Sequence, residues 1–377
     1  MVTRTGRSRR RFLQGASAAT AVLAASSSGA SFMMSAQAST TGLPDGYFVP
    51  AEDDPHERTF MQWPVHPAVH PDRWFLQDLQ QTIAEIANTI AEFEPVVMLA
   101  GADYHSNARK LLSQSVELWD IPTDDLWCRD AGPLFAINDQ GGLVVSGMKF
   151  NGWGGKQVHD NDGQIVPRVA ERLGLTVYPS GLTGEPGGVE WDGHGTLLAH
   201  ESCWVNPNRN TLSRAEIKDR LLRAYGADKM IWAPGVAGHD ITDDHIDALA
   251  RFVRPGEVLI QVPYPDDNDI FSVSARKTLA ILKSATDAEG RHLKITEVPS
   301  PDRIRVTSDD FLASYANYYV LNGAVVCAEF GDQDTDVEMQ RTLRRLYPDR
   351  EVVALNVDAL GETGGGIHCA TQQQPRV

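Results

Sequence analysis

The stretch YYVLNGAVVCAEF, Tyr318–Phe330, places Asn322-Gly323 between two apolar runs. That dipeptide between apolar segments is a strong hairpin signal, because glycine supplies the positive φ a tight turn requires. After the hairpin, Asp336–Tyr347 reads as a helix and EVVALNV, Glu351–Val357, as a further strand. Hairpin, helix, strand is the order expected of an α/β protein rather than of a helical bundle or a β-sandwich.

The same alternation runs back through the chain. Trp74, Phe75, Leu79, Ile83, Ile86, Ile90 and Phe93 recur at helical spacing over Arg73–Phe93, and Pro95 ends that helix. VVMLA (Val96–Ala100), GGLVVSGMKF (Gly141–Phe150), KMIWAP (Lys229–Pro234) and EVLIQVPY (Glu257–Tyr264) read as strands. Ser213 with Glu216 three residues on forms a capping box, opening a helix to about Tyr225. Another helix is expected over Phe271–Ala285. Residues 39–72, rich in Pro, Asp and His, read as an irregular lead-in. Strand–helix–strand units of roughly 50–70 residues suggest a repeat architecture, although residue identity reveals no internal repeat. No low-complexity linker interrupts residues 39–377, so one α/β domain is expected there.

The first 38 residues read differently. SRRRFLQ (Ser8–Gln14) precedes a weakly apolar Ala/Ser/Gly-rich stretch and then Ala36-Gln37-Ala38. A charged start, an apolar middle and an A-x-A site describe a signal peptide of the twin-arginine kind, with the mature protein periplasmic or extracellular. The apolar part is too short and too serine-rich to anchor in a bilayer, and no other run is long enough to span one. Cleavage after Ala38 leaves 339 residues and removes five arginines, taking the formal charge from −16 to −21. So acidic a surface disfavours nucleic acid as a partner and weakly attracts small cations. The four cysteines, Cys128, Cys203, Cys327 and Cys369, show neither zinc spacing nor the pattern of a disulfide framework.

Four stretches gather ionisable groups beside glycine or aromatic residues. In DDLWCRDAGPLF (Asp124–Phe135), Trp127, Arg129 and Asp130 stand before a strand, where a turn with an internal Arg–Asp pair is the plain reading. In GEPGGVEWDGHGTLL (Gly184–Leu198), Glu185 and Glu190 bracket glycines. In GHDITDDHIDALARFV (Gly238–Val253), His245 and Asp247 stand two apart at what reads as a helix N-terminus, and no second His pair completes a metal site. In GETGGGIHCATQQQP (Gly361–Pro375), a glycine run leads to His368 and Cys369. One thiol and one histidine suit nucleophilic catalysis. The surplus of carboxylates suits a cationic electrophile, and a guanidinium, a planar fork of N–H donors, is the natural match. The residues alone therefore indicate a thiol hydrolase acting on a cation.

PAEDDPHERTFMQWP, WCRDAGP, EPGGVEWDGHGTLL, CWVNPNRN, TDDHIDALARF, ASYANYYVLNGAVV and GGGIHCATQQQP occur in order over nearly the whole mature chain. On these stretches the chain resembles the agmatine deiminase family, which includes the bacterial peptidyl-arginine deiminases. The resemblance implies a pentein fold, a five-bladed α/β propeller with a central active site. It implies hydrolysis of a guanidine to a urea with release of ammonia, and no cofactor. Agmatine, giving N-carbamoylputrescine, or a peptidyl-arginine side chain, giving citrulline, would be the substrate. By the same resemblance Cys369 is the nucleophile, His245 the general acid and base, and Asp130 and Asp247 clamp the guanidinium. A glutamate near the histidine matches Glu185, while Trp127 is placed to meet the substrate amine. The family reads Glu-Gly-Gly where this chain has Glu185-Pro186-Gly187-Gly188, so Glu190 stays open as an alternative. An amidinotransferase or a guanidine-binding protein would share part of this constellation, and association into oligomers is compatible with it.

Overall fold

Five small sheets carry the molecule in a computed structural model that describes residues 41–306, 308 and 310–377. The expected leader, residues 1–38, lies outside these. The strands are β1 (His56–Gln62), β2 (Val96–Ala100), β3 (Val116–Asp120), β4 (Leu134–Ile137), β5 (Leu143–Lys149), β6 (Val177–Thr183), β7 (Val189–Trp191) and β8 (Thr196–His200). They continue as β9 (Lys229–Ala233), β10 (Ala250–Arg254), β11 (Glu257–Val262), β12 (Lys294–Pro299), β13 (Tyr319–Leu321), β14 (Ala324–Glu329), β15 (Glu351–Asn356) and β16 (Thr371–Pro375).

One plan repeats. In β4-β5-β6, β7-β8-β9, β10-β11-β12 and β13-β14-β15 the first two strands pair antiparallel and the third is parallel to the second. A parallel pair needs a crossover, and a helix supplies it each time: Ile165–Leu173, Arg214–Tyr225, Ile270–Ser284 and Gln333–Leu346. The remaining sheet follows the same plan from both ends of the domain. β16 pairs antiparallel with β1, with Thr59 opposite Gln373, and β1 is parallel to β2 across the helix Arg73–Ile90. β3 extends this sheet by one strand. The last strand thus completes the sheet that the first strand begins, which closes the ring and fixes the position of Cys369 two residues before β16.

Local sequence explains most elements. Asp72 accepts from the amides of Trp74 and Phe75 and so caps the helix Arg73–Ile90. Leu79, Ile83, Ile86 and Ile90 form its buried stripe, each contributing about 1.5–3 kcal/mol by leaving water. Trp74 lies off that stripe and is 68% exposed. The helix ends three residues before the expected Phe93, which packs from the following turn. Ser213 and Glu216 form the capping box, and Gly226 ends that helix at φ 63°. In the Asn322-Gly323 hairpin Gly323 takes φ 75°, and the Asn322 side chain bonds both ways with the His56 backbone.

Two expectations are corrected, and one strand is added. The lead-in contains β1, whose polar residues are buried with partners: His56 Nδ1 lies 3.1 Å from Glu94, and Thr59 donates to the same carboxylate. TQQQP, to which the sequence reading assigns no element, is strand β16. The pattern following His245 forms a single 3₁₀ turn, Ile246–Ala248, and then strand β10 instead of a helix. Ile246, Leu249, Ala250 and Val253 mimic a helical stripe, but β10 is covered on both faces and pairs with β11, so tertiary burial overrides the period. The apolar core divides into three clusters between neighbouring sheets, the largest joining the sheets at the chain's two ends. Among the described residues no helix is long and apolar enough to cross a membrane.

Candidate active site

Cys369 is 9% exposed and borders a cavity of about 320 Å³. Its Sγ accepts from Asn317 Nδ2 at 3.2 Å and lies 3.4 Å from Asp247 Oδ2. Burial, joined by the charges of Asp247 and Asp130, pushes the thiol well above its ordinary range, so the cysteine is protonated in the free protein. The other three cysteines are also free and buried.

His245 stands at the start of the 3₁₀ turn Ile246–Ala248. Asp243 and Asp244 before it take φ of 61° and 70°, a left-handed pair that non-glycine residues rarely adopt. Asp243 is held there by Lys156 and Arg209, both at 2.8 Å, and by Asn208 at 3.0 Å. The strained loop sets the imidazole between two carboxylates: Nε2 is 3.2 Å from Glu185 Oε2 and Nδ1 is 3.6 Å from Asp130 Oδ1. Burial alone would lower the His245 pKa, but Asp130 and Glu185 outweigh it and raise it to about 9.

Asp130 belongs to a single helical turn, Cys128–Ala131. Its expected pair with Arg129 does not form, because neighbours on that turn face different ways. Arg129 reaches Glu52 at 3.1 Å and Gln373 at 2.9 Å, while Asp130 Oδ2 accepts from Trp153 Nε1 at 2.8 Å. Burial raises Asp130 to about 6, with Glu185 and Asp247 adding to the effect and His245 opposing it. Asp247 is also buried, yet His368 at 2.8 Å, with His245 and Arg251, holds it below its usual value. One oxygen on each carboxylate, Asp130 Oδ1 and Asp247 Oδ1, is buried and meets no hydrogen-bond donor among the described residues.

Glu185, not Glu190, adjoins the histidine. Glu185 has extended backbone, as expected before proline, and Pro186 opens a 3₁₀ turn, where its missing N–H costs nothing. The proline thus leaves the carboxylate in place. Arg209 pairs with it at 2.9 Å and, with His245, keeps it below the usual range despite burial. Glu190 instead binds Arg251 at 2.6 Å and accepts from the Phe252 amide. Gly187 lies against Asp130, His245 and Asp247, and a Cβ there would run into Asp130 Oδ1. Of the terminal glycines, Gly364 takes φ 90°, while Gly365 and Gly366 let the Trp127 ring and Asn317 approach.

The cavity wall includes Trp127, Asp130, Trp153, Ile241, Gly365 and Cys369, together with His70, Asp72 and Asp125. Among the described residues it contains no arginine or lysine. A larger groove, about 820 Å³, near Tyr47, His194 and Arg223 has none of the groups described above. The profile of the family described as Porphyromonas-type peptidyl-arginine deiminase matches residues 48–375. The chain belongs to that family.

Similarity to characterised relatives spans almost the full domain. The agmatine deiminase of Stutzerimonas stutzeri (strain A1501) is 36% identical over 365 residues, covering 89% of this chain and 97% of the relative. The solved agmatine deiminase of Enterococcus faecalis is 28% identical with a TM-score of 0.83, covering 88% and 96%. The agmatine deiminase of C. jejuni solved as a cysteine-to-serine form with substrate bound, 22% identical with a TM-score of 0.76 over 87% and 96%, shares the fold. The five sheets are accordingly the blades of a pentein propeller.

Sequence reading missed four residues that this deiminase site uses. Asn317 contacts the Cys369 sulfur, Trp153 binds Asp130, Arg209 pairs with Glu185, and Glu52 reaches the site through His368. Asn317, Arg209 and Glu52 lie inside stretches noted for their resemblance, but nothing local marks any of the three. Trp153 carries a signal only in its setting, a run of glycines in which it takes the rare φ of 54°.

Proposed function

We propose that this protein hydrolyses the guanidinium of agmatine to N-carbamoylputrescine and ammonia through a covalent adduct on Cys369. The observation that carries the reading is a pair of buried oxygens with no hydrogen bond among the described residues, Asp130 Oδ1, 3.6 Å from His245 Nδ1, and Asp247 Oδ1, in the site of Cys369 and His245. A buried carboxylate oxygen without a hydrogen bond is costly, and a planar cation with N–H groups on several edges relieves both at once.

When the guanidinium seats, its charge offsets the carboxylates and lets the Cys369 thiol release its proton to water. The sulfur adds to the guanidinium carbon, held in line by the two aspartates. The C–N bond breaks as His245 gives its proton to the departing nitrogen, and ammonia leaves a thiouronium on Cys369. His245, now neutral, takes a proton from water; the hydroxide adds to the same carbon, the C–S bond breaks as the added hydroxyl passes its proton to the departing sulfur, and the substituted urea leaves with the thiol restored. Glu185 keeps the imidazole oriented through both transfers. Trp127 and Asp72 line the same cavity and are the aromatic and acidic groups on offer to the distal amine. A free arginine would bring an α-carboxylate to a wall with no arginine or lysine among the described residues, so the amine substrate fits better.

Residues 1–38 are assigned as a twin-arginine leader on the order of their charged, apolar and A-x-A segments. Sequencing the N-terminus of exported protein should find Ser39 first, and an intact Met1 would refute export by this route.

The activity test uses the chain from Ser39 onward with agmatine, free arginine and an arginine-containing peptide, assaying ammonia and ureido product separately. Agmatine turnover is expected, lost by about 10⁶-fold in Cys369→Ser and about 10²–10⁴-fold in His245→Ala. Peptide turnover without agmatine turnover would make this a protein-modifying deiminase instead.

A further inference from the structure

We infer that Glu52 is a positioning residue for the reaction, acting through His368 on Asp247. The inference rests on the deiminase reading of the Cys369 site. Glu52 comes from the PAEDDP lead-in, far in sequence from the chemistry. Its buried carboxylate accepts from His368 Nε2 at 2.8 Å and from the Val320 amide at 3.0 Å, and it pairs with Arg251 at 2.8 Å and Arg129 at 3.1 Å. The fully buried His368 turns its other nitrogen, Nδ1, to Asp247 Oδ2 at 2.8 Å. Carboxylates accept and do not donate, so each contact calls for an N–H. A neutral imidazole has one; holding both carboxylates makes the ring an imidazolium.

A simpler role for Glu52 would be counter-ion to the two arginines. Both, however, have other partners: Arg251 binds Glu190 and the Tyr318 carbonyl, and Arg129 binds Gln373. For Nε2 of His368, Glu52 is the hydrogen-bond partner the structure provides. Losing the Glu52 charge therefore falls on His368 and, through it, on Asp247. The relay occupies Asp247 Oδ2 and leaves Oδ1 unpartnered for the substrate. It also places a positive charge on the residue that precedes the nucleophile.

The charged and titratable groups facing Asp247 are His368, His245, Arg251, Asp130, Glu190 and Cys369. Of the cations, His368 alone contacts the Asp247 carboxylate within hydrogen-bond distance. Weakening its charge makes Asp247 easier to protonate, so the acid limb of activity moves to higher pH.

The test compares Glu52→Gln, Glu52→Asp and His368→Gln. With agmatine, Glu52→Gln should lower kcat about ten-fold or more, the scale seen when a residue orienting a reacting group is lost, and move the acid limb upward. Glu52→Asp, which keeps the charge, should restore the limb toward the wild-type position. A second readout needs no turnover: alkylation of Cys369 by chloroacetamidine, a cation, against its neutral isostere chloroacetamide, followed by mass spectrometry. In each case the sulfur displaces chloride. The preference for the cation should fall about ten-fold, one unit of charge stabilisation, in both Glu52→Gln and His368→Gln. Should Glu52→Gln fail to fold, His368→Gln and Glu52→Asp decide. A wild-type cation preference and wild-type acid limb in the folded variants would overturn the relay. Loss of the preference in variants of a protein that does not turn over agmatine would leave the relay standing and refute the substrate.

Discussion

His245 stands between Glu185, 3.2 Å from Nε2, and Asp130, 3.6 Å from Nδ1, so the base of the site is flanked by two buried carboxylates of opposite pKa tendency. Glu185 is held low by Arg209, whereas Asp130 is raised to about 6. In the proposed mechanism the pair has separate duties: Glu185 fixes the ring and Asp130 is assigned to the substrate.

Cation binding should follow the ionisation of Asp130. In Cys369→Ser, where binding is separated from chemistry, agmatine affinity is expected to hold above about pH 6 and to fall roughly ten-fold per pH unit below it. The groups facing Asp130 are His245, Glu185, Asp247 and Trp153. Calorimetric titration from pH 5 to 8 measures this, and a flat profile would rule out Asp130 as a clamp.

The proton on His245 also stabilises the fold. Its folded pKa, about 9, exceeds the ordinary 6.5, so the folded protein holds this proton more tightly than the unfolded chain. The resulting stability is full below about pH 6.5 and is lost as pH rises through 9. The melting-temperature gap between wild type and His245→Asn should therefore shrink across that window. A gap that widens would reverse the assigned direction.

Trp153→Phe keeps the ring's bulk and removes the N–H that Asp130 Oδ2 accepts. Hydrogen bonds to charged groups contribute about 1.5–3 kcal/mol, so agmatine affinity should drop roughly ten-fold or more at pH 7. The midpoint of the binding titration should also move above pH 6. Unchanged affinity would mean that the indole only packs.

Gly187→Ala would push a methyl group toward Asp130 Oδ1 and the His245 ring. Gly187 does not have the left-handed backbone that would strain an alanine, so the damage should stay local. Activity is expected to fall by more than about 100-fold, with a small loss of thermal stability. Unfolding of this variant would show that the turn's packing, rather than the site, demands glycine.

Glu185→Gln and Glu190→Gln separate the two glutamates of one motif. The first should cost activity by about 10²-fold or more through the orientation and charge of His245. The second should act on stability, since Glu190 pairs with buried Arg251, and breaking a buried pair costs about 3–5 kcal/mol. Paired kinetics and thermal melts of the two variants distinguish these effects.

Much of the architecture was legible because helices and apolar strands announce themselves locally. The stripe Leu79, Ile83, Ile86, Ile90, the Ser213–Glu216 box and the Asn322-Gly323 hairpin each state their own conformation. Strands β1 and β16 were not legible. HERTFMQ and TQQQP are polar, and they are buried only because partners arrive from elsewhere: Glu94 for His56, Arg129 for Gln373, and the Pro133 carbonyl for Gln372.

By itself the sequence determined the chemistry on offer and the family. It supplied one cysteine in a glycine-rich turn, one histidine beside an aspartate, and an excess of carboxylates suited to a cation. Tertiary structure decided which of those groups meet. Closure of the ring by β16 on β1 fixes Cys369 beside Asp247 and Asn317, while the packing of the turn after Glu185 on the turn after His245 sets Glu185 rather than Glu190 at the imidazole. The physical reason is distance along the chain. Local propensity acts over a few residues, whereas Glu52 and His368 are 316 apart, and contacts of that separation are set by how the blades pack.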